Sequence, residues 1–224
     1  MKPNDLKPPF KWSERYILLK DGILYLPGYY DCSSYKFPIW SHEDIFGNQN
    51  PVYIEYCSGN GQWIIEQAQK NPHINWVALE KRFDRVRKIW SKRDNLAIKN
   101  LFIVCGEAQP FAKHLVAGES VDGIYVNFPD PWPKDKHAKH RIIQSDFVSD
   151  CAETMKSGAS MVLVTDDDTY RDQMLDVVSS HEVLQSEYPE PYYIQNLDGY
   201  GGSYFYSLWV ELERQINYMR FTKK

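Results

Sequence analysis

Val52-Tyr53-Ile54-Glu55-Tyr56, followed at once by Cys57-Ser58-Gly59-Asn60-Gly61, is the stretch on which the fold turns. A short, largely apolar run that ends in a glycine-containing loop reads as a buried strand feeding a tight turn. Behind it, Gln62 to Lys70 has helical spacing and is closed by Asn71-Pro72, because the residue before a proline is pushed out of the helical region. The same alternation continues outward. Further strands are predicted at Asn75 to Leu79, Leu101 to Val104, Gly123 to Val126 and Met161 to Val164, and helices at Phe83 to Ser91, Ala108 to Val116 and Ser145 to Met155. Such spacing predicts an α/β fold, a doubly wound and mostly parallel sheet with helices on both faces. Ligands of these sheets lie outside the carboxyl ends of the strands, so the residues that follow each strand carry the chemistry.

Flanking segments are less regular. Residues 1–50, rich in Pro, Tyr, Trp and Lys, show no sustained periodicity and are expected to form an irregular arm ahead of a domain spanning residues 51–224. Tyr204 to Val210 is expected to add a late strand after the flexible Asp198-Gly199-Tyr200-Gly201-Gly202. The chain has 224 residues with 43% hydrophobic and 25% charged composition, enough for one sizeable core. No apolar run approaches a membrane span, and the N-terminus lacks the apolar stretch of a signal peptide, so a cytoplasmic location without membrane attachment is expected. Cys32, Cys57, Cys105 and Cys151 lie far apart with no C-x-x-C pair, which predicts reduced, structural thiols.

Net charge is −4, yet basic residues cluster at Lys81, Arg82, Arg85, Arg87, Lys88, Lys92 and Arg93, and again at Lys134, Lys136, His137, Lys139, His140 and Arg141. Charge runs are commonly solvated helix faces. Local stripes can also steer a polyanion to one side of an acidic protein.

The residues after the strands favour a cofactor. Two glycines, Gly59 and Gly61, permit positive φ and close approach of a ligand to the main chain, although G-x-G alone is a weak signal. Glu55 sharpens it. A carboxylate beside the loop repels a pyrophosphate but can bind the ammonium of a methionine moiety, which favours S-adenosylmethionine over a dinucleotide. Glu80 follows the second strand, where a carboxylate can accept both hydroxyls of a ribose; Glu107 follows the third, where an adenine amino group can be held. Each acid singly could be a surface residue opening a helix. Together they form a constellation.

After the fourth strand comes Asn127-Phe128-Pro129-Asp130-Pro131-Trp132-Pro133-Lys134. Its prolines restrict the loop, Trp132 offers a face on which a base can stack, and Asp130 sits at the ligand-binding end of the sheet. With the basic run behind it, this loop resembles the signature of the bacterial tRNA (guanine-N7)-methyltransferases, and the resemblance covers residues 52–170. It implies a Rossmann-like class I methyltransferase fold, S-adenosylmethionine as methyl donor, and tRNA as partner, with methylation of a guanine in the variable loop, usually position 46. By similarity Glu55, Glu80, Glu107 and Asp130 fall on cofactor-binding positions, Asp130 also being catalytic. Lys134 and Asp166 match substrate-binding positions. Ser203 and Tyr206 stand where the family carries its C-terminal Thr and Glu. Departures include Cys57 in place of a loop glycine, Glu107 in place of Asp, His140 in place of an arginine, and the carboxylate lost at Tyr206.

No metal site is predicted: His137 and His140 lack a third ligand nearby, and Thr165-Asp166-Asp167-Asp168 reads as acids opening a helix. The alternatives are a methyltransferase acting on an exocyclic amino group of a nucleic acid, and a non-catalytic RNA-binding protein that kept the fold. A monomer or homodimer is expected.

Overall fold

The computed structural model describes residues 1–11, 16–28, 31–195, 197–202 and 204–224. In chain order the elements begin with β1 (Leu18–Lys20), β2 (Ile23–Tyr25), β3 (Val52–Tyr56), α1 (Gln62–Lys70), β4 (Asn75–Glu80) and α2 (Phe83–Asn95). They continue with β5 (Leu101–Cys105), α3 (Ala108–His114), β6 (Val121–Asn127), α4 (Ser145–Thr154), β7 (Met155–Thr165) and α5 (Asp168–Ser179). The last are β8 (Leu184–Ser186), β9 (Ile194–Gln195), α6 (Tyr204–Glu211) and β10 (Asn217–Lys223).

Among the described residues the strands make one mixed sheet in the order β1-β2-β5-β4-β3-β6-β7-β10-β8, with β9 also pairing β10. Every junction from β2 across to β7 is parallel, and β10 joins β7 antiparallel. The chain steps outward from β3 to β4 and β5, then returns to lay β6 against the other side of β3. That reversal is the switch point at which doubly wound sheets bind ligands.

Packing follows from the strand period. In β4 and β5, Trp76, Ala78, Leu101 and Ile103 face one layer with Trp63 and Ile64 of α1 and Val86 and Ile89 of α2. Their neighbours Val77, Leu79, Phe102 and Val104 face the other, with Phe111 of α3, Phe147 of α4 and Tyr170 and Met174 of α5. Both faces are apolar because both are covered by helices. The expected doubly wound fold is therefore present.

Two expectations are corrected. Residues 18–25 of the expected irregular arm form β1 and β2, and β2 extends the parallel sheet beside β5, with Ile23 opposite Ile103. Arg93 secures this hairpin by donating to the carbonyls of Gly22 at 2.8 Å and Asp21 at 2.9 Å. The strand expected over Tyr204 to Val210 is instead α6. Its aromatic run has strand propensity, but Tyr206 and Trp209, one helical turn apart, share a layer with Val162, Val164 and Tyr218. The late strand is β10, whose Tyr218 pairs with Val164 of β7.

Candidate active site

Three clefts adjoin along the carboxyl ends of β5, β4, β3 and β6. The innermost, about 120 Å³, is bounded by Glu55, Ser58, Gly59, Asn60, Trp63 and Asn127. A second, about 400 Å³, shares Cys57, Arg85 and Phe128 with it and adds Glu80, Glu107, Asp130, Trp132 and His140. A third, about 620 Å³, continues past Glu107 to Phe10, Tyr25 and Phe83. The four sequence-predicted carboxylates thus meet in two clefts that share walls.

Glu55 is 2% exposed. Its Oε1 accepts a 2.7 Å bond from Asn127 Nδ2, while Oε2 is buried without a hydrogen-bond partner among the described residues. Burial pushes its carboxyl up to about 7; the Asn127 bond opposes this and the nearby Glu80 charge reinforces it. A buried carboxylate oxygen lacking a donor is costly in a folded protein. An ammonium group is a donor able to satisfy it, so the chain's own geometry fits the amino-acid end of S-adenosylmethionine.

Glu80 is positioned by the loop it faces. Gly59 N donates to Oε2 at 3.0 Å, Arg82 N donates to Oε1 at 2.8 Å, and Arg85 lies 3.5 Å from Oε2. Carboxylate oxygens carry further lone pairs that these contacts leave for hydroxyl donors. The two loop glycines have separate duties. Gly59 has φ +55 and donates to Glu80. Gly61 does not line the clefts: it has φ +70, and a Cβ there would stand 2.6 Å from Ile89 Cγ1, so it lets α1 pack on α2. Glu107 begins α3 and is exposed beside Gly28, whose added Cβ would lie 3.6 Å from the Glu107 carboxyl carbon.

The loop after β6 is held from below. Arg141, which the sequence places in a basic run able to steer a polyanion, is only 5% exposed. It donates to Pro131 O at 2.7 Å, to Trp132 O at 3.5 Å and to Gln173, and lies over the Tyr170 ring at 5.0 Å. Its guanidinium fork is spent on backbone, which removes it from the phosphate-contact set. Lys134, Lys136 and Lys139 are exposed. Asp130 is exposed in the cleft wall, and Trp132, 37% exposed, stands 5.7 Å from the His137 ring and 5.3 Å from the His140 ring.

Cys57, Phe128 and Trp132 all have left-handed backbone, at φ +63, +47 and +43. Each such non-glycine residue costs on the order of 1–2 kcal/mol. All three line the 400 Å³ cleft, so the loops that turn their backbone toward it carry strain, as do turns elsewhere at Asp21, Ala97, Glu119, Tyr192 and Glu213. At Cys57, where the resembling family carries glycine, the turn is retained without the residue that makes it easy.

Other predicted positions lie away from this centre. Asp166 is paired with Arg214 at 2.6 Å, and that guanidinium covers the Trp209 ring at 4.1 Å. Asp167 caps α5 by accepting from Tyr170 N at 2.7 Å. Tyr206 is half-buried in the layer against Tyr218, apart from the residues lining the clefts. Ser203 lies outside the described residues. Of the first basic cluster, Arg93 and Arg87 are bound to backbone of residues 21–22 and Leu6, and Lys92 to Asn60 O at 2.9 Å. Among the described residues no group of three His, Cys, Asp or Glu side chains could hold a metal ion, and no helix is long and apolar enough to cross a membrane.

Sequence reasoning passed over Asn127 and Tyr200. Asn127 is the last residue of β6, and Tyr200 sits in a glycine-rich stretch read as flexible. The signal available was position: Asn127 ends a strand at the switch point, as Glu80 ends β4.

A sheet with this order, carboxylates at the carboxyl ends of successive strands and an unpaired acid oxygen at the innermost cleft define a class I S-adenosylmethionine-dependent methyltransferase. A family described as "Putative methyltransferase" matches residues 49–201. The chain is 46% identical over 225 residues to the tRNA (guanine-N(7)-)-methyltransferase of Chlamydia abortus, covering 100% of this chain and 99% of that protein. It is 45% identical over 225 residues to the Chlamydia trachomatis protein of the same name, at the same coverage, 100% and 99%. The Nitrosomonas eutropha protein of that name is 37% identical over 142 residues, 63% of each chain. This chain belongs to the tRNA (guanine-N7)-methyltransferase family. In fold it is similar to the antibiotic-resistance methyltransferase Kmr, with TM-score 0.54, 14% identity, and coverage of 77% of this chain and 86% of that one. An rRNA methylase from Streptococcus thermophilus gives TM-score 0.54 and 12% identity over 79% and 88% of the two chains.

Proposed function

We propose that the target is a guanine of the tRNA variable loop, position 46, modified in the cytoplasm by a monomer or homodimer. The reaction class is methyl transfer from S-adenosylmethionine to guanine N7 of tRNA. Within it we assign Glu55 to the ammonium of the methyl donor, Glu80 to its ribose hydroxyls and Glu107 to its adenine. The observation that carries these assignments is Glu55 Oε2, buried and without a donor, in a cleft that shares its wall with Glu80, Glu107 and Asp130.

S-adenosylmethionine, when bound, supplies an electrophilic methyl group on a sulfonium. Guanine N7 has an in-plane lone pair and no proton to lose, so the chain needs no strong base. Its contribution is orientation, worth several kcal/mol when the reacting atoms are held in line. Asp130, the catalytic residue of this reading, stabilises the positive charge that develops on the purine and accepts its N–H groups. Trp132 offers a ring for a base withdrawn from its stack. Lys134 binds the tRNA backbone; Asp166, Ser203 and Tyr206 are assigned to the substrate side through the family pattern alone.

The test is incubation with unmodified tRNA and labelled S-adenosylmethionine, followed by mapping of the modified nucleotide. Label at guanine N7 of position 46 is expected. Label on an exocyclic amino group, or on another nucleotide, overturns the assignment of the target; no transfer to any tRNA favours a non-catalytic RNA-binding role.

A further inference from the structure

Glu55 does not stand alone in its cleft. Asn127 Nδ2 donates to Oε1 at 2.7 Å, and Asn127 Oδ1 in turn accepts the Tyr200 hydroxyl at 2.6 Å. The chain of donors has one consistent direction when Glu55 is ionised. A carboxylate only accepts, so Asn127 must turn its amide nitrogen toward it, and its oxygen then requires a donor on the far side. Burial of the Tyr200 hydroxyl raises its pKa well above the ordinary phenol value, which keeps that donor protonated.

Tyr200 reaches this place from far along the chain because its segment is clamped to α1. Its carbonyl accepts Trp63 Nε1 at 2.9 Å, its ring stacks on Trp63 with centroids 5.5 Å apart, and Gly202 N donates to Glu66 at 3.1 Å. Gly201 sits in this segment at φ +103, a backbone conformation that L side chains rarely adopt.

We propose that Tyr200 is a positioning residue for the methyl donor, acting through Asn127 to hold Glu55 with a free oxygen toward the amino-acid end, so that docking of residues 197–202 on α1 completes the cofactor site. Without the phenol donor, Asn127 Oδ1 is left unpaired, and the amide can rotate to place its oxygen against the carboxylate, a repulsive contact. Nothing in the reaction is routed through Tyr200; it sets the state of a group that touches the cofactor. The inference rests on the assignment of Glu55 to the ammonium.

Two probes separate these ideas in calorimetry on the full chain: S-adenosylhomocysteine, which carries the amino-acid tail, and 5′-methylthioadenosine, the same nucleoside without it. Tyr200→Phe keeps the ring on Trp63 and removes only the hydroxyl. It is expected to weaken S-adenosylhomocysteine roughly five- to tenfold, the loss of about one hydrogen bond, and to leave 5′-methylthioadenosine within about twofold. In turnover, KM for S-adenosylmethionine should rise by a like factor while kcat stays near wild type. Asn127→Ala, which breaks the relay from its other side, should give the same selective loss. Equal weakening of both probes, or of neither, overturns the proposal, because a phenol that merely shapes the wall does not distinguish the tail. Glu55→Gln separates the levels. If it leaves the ratio of the two affinities unchanged, the assignment of Glu55 itself fails; if it lowers the ratio and Tyr200→Phe does not, only the relay fails.

Discussion

The role proposed for Glu55 comes at a cost to stability, and the sign of that cost can be worked out. Its folded-state pKa is raised from 4.5 to about 7, so between these values the folded protein holds a proton that the unfolded chain has released. Stability of the cofactor-free protein therefore falls as pH rises from about 4.5 to about 7 and stays lowered above it. Glu55→Gln removes the ionisation and keeps an acceptor for Asn127. The variant should match wild type at pH 5 and exceed it at pH 8 by on the order of 2–3 kcal/mol, as read from thermal or denaturant midpoints at the two values. The same substitution should weaken binding of S-adenosylhomocysteine. A midpoint difference independent of pH would show that the carboxyl titrates in the folded protein as it does in the unfolded chain. Asp130 presents the opposite case, an exposed acid between two prolines. Asp130→Ala should abolish methyl transfer while leaving the unfolding midpoint within about 0.5 kcal/mol of wild type, the usual range for surface positions; turnover near wild type would remove Asp130 from the catalytic role.

The loop after β6 is set by Arg141 rather than by its prolines alone. Removing that side chain leaves the Pro131 and Trp132 carbonyls without their donor and uncovers the Tyr170 ring. Arg141→Ala should cost about 2 kcal/mol or more and increase amide exchange across residues 128–134, and Arg141→Lys should not restore either property because an ammonium lacks the planar fork. Unchanged exchange would show that the loop holds its shape without the arginine. What the sequence made legible here follows a physical division. Strands β3 to β6 and helices α1 to α4 were readable because local period and burial agree: apolar runs lie between two covered faces, and helices stop at Pro72 or at turn residues. The acids were readable because each stands at or just past the carboxyl end of a strand. Arg141 was misassigned since its neighbours Lys139 and His140 are exposed and its partners arise only when α5 packs beneath the loop. Asn127 and Tyr200 were passed over because neutral side chains joined by tertiary contact leave no local pattern. In α6, the facing of Tyr206 and Trp209 toward a shared layer overrode strand propensity, and the place beside β7 was taken by β10, whose Arg220 and Lys223 interrupt its apolar run.

At the scale of the whole molecule, an acidic chain of net charge −4 has to attract a polyanion, which makes the placement of its cations decisive. Much of the basic sequence is already engaged: Arg93 and Arg141 are buried on carbonyls, Arg171 is paired with Asp168 and Asp172, and Arg214 with Asp166. Lys134, Lys136 and Lys139 project from the turn beside Asp130 and Trp132 and are exposed. A local field from such a cluster steers a charged ligand even when the protein as a whole repels it, and its effect is confined to roughly 8–10 Å at ordinary ionic strength. Docking at this turn would deliver the substrate backbone beside the cleft lined by Glu80, Glu107 and Asp130. Each phosphate neutralised releases condensed counterions, so the logarithm of the tRNA association constant should fall linearly with the logarithm of salt concentration, by roughly 0.7–0.9 per contact. Changing Lys134, Lys136 and Lys139 together to Ala should therefore flatten that slope by about two units or more and weaken binding most at low salt, with S-adenosylhomocysteine affinity unchanged. Arg141→Ala serves as the counterpart, because a buried guanidinium releases no counterions: its binding curve should keep the wild-type slope even if the affinity is lower. A slope unaltered by the triple substitution would assign these lysines to a solvated face, and a slope flattened by Arg141→Ala would return that arginine to the phosphate-contacting set.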